Sequence, residues 1–137
     1  MRIQPSNPRV WLAASVVATA LFGAACGASD STTGTATTET FTGVVNASSN
    51  WIQPINVTGN GEVDVQVTAI TPQTTITVGV GIGQLVSGQC ALITYLDDMR
   101  VGSIASALVA PGAYCIDVVD VGNIQGSDTV TVTAAHP

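Results

Sequence analysis

From Gly61 to Ala69 the chain alternates strictly, with Val63, Val65, Val67 and Ala69 on one parity and Glu62, Asp64, Gln66 and Thr68 on the other. Successive strand side chains point to opposite faces, so this alternation predicts a strand half-buried against a core. Ser127 to Ala134 repeats the pattern, setting Val130, Val132 and Ala134 against Thr129, Thr131 and Thr133. A third segment, Thr75 to Gly83, places Ile76, Val78, Val80 and Ile82 inward and leaves Thr77, Gly79, Gly81 and Gly83 opposite. Glycine weakens a strand interior. Three in alternation therefore predict close packing by another backbone, in preference to a bulge or a shallow surface groove.

Further strands are expected at Thr40–Val45, Trp51–Val57, Cys90–Leu96, Ile104–Val109 and Ala113–Val119, bounded by turn residues such as Thr58-Gly59-Asn60-Gly61 and Ala110-Pro111-Gly112. Pro111-Gly112 fits a type II turn, with proline fixing φ and glycine taking the positive value. Pro54 has no N–H to donate, which assigns its strand to a sheet edge or a bulge. About eight short strands with no helical period predict an all-β fold, a two-sheet antiparallel β-sandwich of jelly-roll type.

The N-terminus departs from this pattern. Arg2 and Arg9 precede an apolar run from Val10 to Phe22, followed by Gly23, Ala24, Ala25 and Cys26. This is the layout of an export signal over residues 1–25, formed as a helix. The small residues before Cys26 resemble a bacterial lipobox, which implies a diacylated Cys26 and a membrane contact through that lipid. Gly23 stands where the lipobox usually has Leu or Val. Ordinary cleavage nearby, giving a secreted protein, and an uncleaved anchor of near-spanning length stay open as alternatives. Residues 27–39 are mostly Ser, Thr, Gly and Ala, too poor in large apolar groups to offset the entropy of ordering, and read as a disordered tether. The division is thus 1–25 signal peptide, 26–39 anchor cysteine and tether, and 40–137 folded domain, in an exported bacterial envelope protein.

Charge is segregated in the same way. The chain has no lysine, and all nine of its acidic residues follow the apolar run. Without the signal, Arg100 is the only Lys or Arg left to face them, a potential that repels phosphate backbones and excludes nucleic acid as a partner. Cys90 and Cys115 fall in predicted strands of an exported domain, where a structural disulfide is expected. The sole histidine, His136, lies beside the C-terminus, where chains are commonly mobile, and this argues against a Ser–His–acid triad.

No nucleophile elbow, phosphate loop or His-rich metal spacing is present. The protein is therefore expected not to be an enzyme, and no cofactor is implied except calcium. Asp117, Asp120, Asn123 and Asp128 form the candidate calcium group, although turn chemistry is the preferred account of acids in such loops. Asp97-Asp98 is the other acidic pair, and carboxylates of this kind could also serve glycoside hydrolysis. Trp51 and the outward row Thr129, Thr131 and Thr133 are the candidate contacts for a glycan or flat surface. Core packing and plain β-propensity are the preferred explanations of each.

The stretch Leu108-Val-Ala-Pro-Gly112-Ala-Tyr114-Cys-Ile116-Asp-Val118, with Thr129-Val-Thr-Val132 after it, resembles the bacterial pre-peptidase C-terminal domain. Trp51-Ile-Gln-Pro-Ile55-Asn-Val57 and Gly61-Glu-Val-Asp-Val65 resemble that family's paired strands around a glycine turn. The resemblance covers about Thr40 to Pro137 through short motifs that mostly report sandwich packing. It implies a noncatalytic module concerned with secretion, localisation or substrate binding. The attached peptidase is missing, and the cysteine pair and anchor are departures. The function expected is a surface module that binds a glycan, matrix polymer or protein; a structural envelope protein without a small ligand is the alternative.

Overall fold

A computed structural model describes residues 35–137. The export segment 1–25, Cys26 and the tether up to residue 34 lie outside the described residues. Eight strands follow in order: β1 (Thr37–Asn46), β2 (Asn50–Val57), β3 (Gly61–Thr71), β4 (Val78–Val86), β5 (Gln89–Met99), β6 (Ile104–Val109), β7 (Gly112–Val119) and β8 (Ser127–His136). Each corresponds to an expected strand; β6 has the expected ends, and the others are shifted at one or both ends. β1 begins at Thr37, inside the segment read as tether, because Thr37 to Thr40 pair with His136 to Thr133 of β8. Backbone pairing there needs no apolar side chain, so composition could not show it.

Two four-stranded sheets form, ordered β1-β8-β3-β6 and β2-β7-β4-β5, and every pairing is antiparallel. Only β4 and β5 are consecutive within one sheet; every other connection crosses to the opposite sheet. This is the jelly-roll order. Alternation supplies the inner faces. Val63, Val65 and Val67 of β3, Val130, Val132 and Ala134 of β8, Val78, Val80 and Ile82 of β4, and Ile116 and Val118 of β7 are all buried in one core. Each such Val or Ile removed from water contributes about 1.5–3 kcal/mol before entropy is set against it. Pro54 lies in β2, an edge strand, as its missing N–H requires.

Two glycine features shape the sandwich. Trp51 points inward and its indole lies over Gly43 of β1, where any side chain would collide with the ring. The second is the glycine row of β4. Tyr95 of β5 lies over Gly79, Leu92 lies over Gly81, and the β5 backbone at Ala91 and Leu92 closes directly over Gly83. The close approach expected from the sequence is therefore made by the next strand of the same hairpin. On β7, Cys115 is the partner of Gly83 and forms a disulfide with Cys90 of β5, with Cα atoms 5.8 Å apart. The bond joins the two strands that flank β4. Gly112 has no positive φ and opens β7, so the type II turn expected at Pro111-Gly112 is not formed. Its φ is set by pairing with Val57 rather than by the turn.

Gly83→Ala is expected to lower stability by about 1–3 kcal/mol, because its new methyl meets backbone that cannot swing aside. Gly79→Ala meets the mobile end of Tyr95 and should cost less. Urea midpoints that rank the two in the opposite order would sink this account of the hairpin. Removing both Cys90 and Cys115 as alanines should lower stability by about 3 kcal/mol, from the loop the bond closes.

Candidate functional site

Thr129, Thr131 and Thr133 occupy the outer face of β8, as alternation requires, and are half-buried there. Thr40 lies opposite Thr133 and Thr42 opposite Thr131, with the Thr42 and Thr131 hydroxyls 3.1 Å apart. Thr68 of β3 donates to the Thr131 carbonyl at 3.1 Å. The result is an uncharged hydroxyl and methyl face crossing three strands. Trp51 is on the other side of the chain, packed against the core, so it and the threonines do not meet in one site.

The acidic residues near the C-terminus are tied to separate segments. Asp120 Oδ1 accepts the backbone N–H groups of Gly122, Asn123 and Ile124 at 2.8, 2.9 and 3.0 Å, and Oδ2 accepts that of Ser48 at 2.7 Å. These bonds, Ser48 first, hold its carboxyl below the usual carboxylate range. Asp128 is 1% exposed, and its two oxygens accept the Gln73 backbone and side-chain amides at 2.8 and 2.9 Å. Asp117 accepts from Asn50 Nδ2 at 2.8 Å, while the Asn123 amide donates to the Thr77 hydroxyl at the same distance. Among the described residues no three His, Cys, Asp or Glu side chains form a group able to hold a metal. The acids instead fasten neighbouring segments to one another: Asp120 ties two loops, Asp128 of β8 holds the Gln73 loop, and Asp117 of β7 holds Asn50 of β2. Asp98 makes an exposed 3.5 Å pair with Arg100, a contact worth little in water.

His136 departs from expectation. It is 5% exposed, because it is the last inward residue of β8 and β1 closes beside it. Its Nε2 is 3.0 Å from Glu39 Oε2, and since a carboxylate only accepts, that nitrogen carries the hydrogen. The pair borders a cleft of about 580 Å³ open between the two edge strands β1 and β2. The other ring nitrogen faces the Pro137 carbonyl oxygen at 3.5 Å rather than a hydroxyl or thiol.

A second surface lies on the opposite side of the sandwich, where edge strands β5 and β6 meet. Except for Val44 and Val86, the strongly exposed large apolar side chains among the described residues fall on β5, β6 or the turn between them. They are Leu92, Ile93, Tyr95, Leu96, Val101, Ile104 and Leu108, the last 80% exposed. Burial, and then Asp97 and Asp117, raise the Tyr95 pKa, so its phenol stays a neutral donor. One signal of this surface was present in the sequence. Leu92-Ile93 and Tyr95-Leu96 break alternation and put apolar groups on both faces of the strand, a pattern that suits an interior strand. β5 is an edge strand, so that apolar surface is left outside.

No family model matches the chain, and no curated protein matches it.

The Asp120 bonds set a pH dependence. Its folded pKa lies below the unfolded value, so its contribution is complete above the ordinary carboxylate pKa and is lost as pH falls through the lowered folded value. Asp120→Ala should lower stability at pH 7 by about 1–2 kcal/mol. The gap from wild type should narrow below about pH 4, measured by urea unfolding across pH.

Proposed function

We propose that the protein is a noncatalytic exported module, held at a bacterial surface through Cys26, that binds an extracellular macromolecule by the β5–β6 side of its sandwich. The observation that carries this reading is the concentration of exposed Leu, Ile, Val and Tyr on that side of an otherwise polar surface. Large apolar side chains left exposed on a folded domain are a feature of protein interaction sites. It favours a protein over a glycan as partner, while the neutral threonine face suits a flat glycan or matrix polymer. The likeness to the pre-peptidase C-terminal domain supports a module without chemistry of its own. A structural envelope protein is the second reading, supported by the same apolar side, which a permanent partner would cover.

The test is binding of the full chain to envelope proteins, glycans and matrix polymers, with calcium and with a chelator. Ile93→Glu combined with Leu108→Glu should weaken protein binding at least about tenfold while shifting stability by less than about 0.5 kcal/mol, since both side chains are exposed. Binding that survives both changes would remove the apolar side from the proposal. Copurification with one fixed partner complex, without binding by the isolated chain, would favour the structural reading. Loss of binding on chelation would return calcium to the acidic loops.

A further inference from the structure

The cleft between β1 and β2 is bordered by the buried His136 and the solvent-facing Glu39 paired with it, and the binding surface proposed above does not use it. Its walls combine two chemistries. Phe41 of β1, Ile55 of β2 and Leu85 of β4 supply apolar surface, and Glu39 with His136 supplies the charge-bearing corner. The topology explains the opening. β1 and β2 are edge strands of opposite sheets, and their inward residues face each other without a strand between them. Trp51 over Gly43 fills this gap toward the Val45 end of β1. Toward the Thr37 end no aromatic ring of comparable size among the described residues fills it, and the cleft remains.

Glu39 is the group that selects a ligand. Oε2 takes the His136 hydrogen, which fixes the carboxylate in place, and a carboxylate keeps further acceptor lone pairs for other donors. The surroundings reinforce its sign. Glu62 and Asp64 border a smaller hollow that shares His136 and Pro137 with the cleft. The chain has no lysine, and the only arginine among the described residues, Arg100, belongs to the far β5–β6 turn and pairs with Asp98. An anionic sugar or a phosphate is repelled here, and a divalent metal finds no third His, Cys, Asp or Glu among the described residues. A positive head on an apolar body meets complementary groups at both ends.

We propose that this cleft binds an organic ammonium group, its cationic head against the Glu39 carboxylate and its carbon body on Phe41, Ile55 and Leu85. A lysine side chain and an amino sugar both present that chemistry. The site is on the opposite side from β5 and β6, so its failure would leave the proposed surface-binding function standing, and the reverse also holds.

His136 gives the experiment its own reporter, because it is the only histidine in the chain and its ring signal in an NMR spectrum needs no assignment. The full chain in detergent is titrated with n-butylammonium at neutral pH, with n-butanol as the neutral control. The expected result is a saturable shift of the His136 ring signal, with half-saturation at about 10 mM or below, a reachable affinity for so small a ligand. Butanol should shift it much less. Glu39→Gln keeps the side-chain shape and should weaken the ammonium response at least about tenfold. Leu85→Trp fills the cleft from the opposite wall, leaves the Glu39–His136 pair intact and should also abolish it. Nα-acetyl-lysine amide and glucosamine, with N-acetylglucosamine as the uncharged control, then separate a peptide source from an amino-sugar source. No saturable shift with n-butylammonium, an equal shift with butanol, or a response unchanged in both variants would overturn the proposal.

Discussion

The closure of β5 over the glycine row of β4 is the contact on which the rest of this fold depends. Gly79, Gly81 and Gly83 leave the outer face of β4 bare, and the hairpin partner lies down on it with Tyr95, Leu92 and its own backbone at Ala91. That curl brings Cys90 within bonding distance of Cys115 on the far side of β4. It also leaves Ile93 and Leu96 exposed at the rim of the sandwich. A sheet that flattened here would lose the disulfide and the apolar side together. Stability and interaction surface are thus set by one local choice of residues, three positions at which the absence of a side chain makes room.

The alternating segments made most of the architecture legible. Val63-x-Val65-x-Val67 and Val130-x-Val132 state their inward faces directly, because period-two burial leaves few other solutions. Glycine in alternation was legible too, though only as a demand for something close by. What covers it depends on the path of β5, which no local pattern encodes. The first turn of pairing in β1 was hidden for a related reason. Thr37 to Thr40 are ordered by β8, a strand about a hundred residues away, and a Ser/Thr-rich segment gives no sign of such a partner. Gly112 shows the reverse failure. Pro-Gly is a strong local signal, yet sheet pairing with β2 overrode the turn it favours.

The candidate site was less legible than the fold. The acids near the C-terminus read first as turn residues and only second as ligands, and the geometry has Asp120 and Asp128 holding backbone amides and Asp117 the Asn50 side chain. Asp120 alone secures four N–H groups from two loops, and Asp128 fixes Gln73 from within the core boundary. His136 lay near the end of the sequence, where position suggested mobility, but its strand runs between β1 and β3 and carries the ring into the interior. The Glu39–His136 pair could not be inferred locally, since its members are joined only by the register of β1 on β8.

That placement of β8 also governs when the domain can exist at all. The last of the eight strands is central in its sheet, between the first and the third, so the β1 edge of that sheet has no partner until β8 is in place. Nearly every pairing joins distant segments, the kind of topology that closes slowly because chain entropy is lost before contacts repay it. A copy lacking β8 would therefore leave β1 without a partner and the inward valines of β3 uncovered on that side.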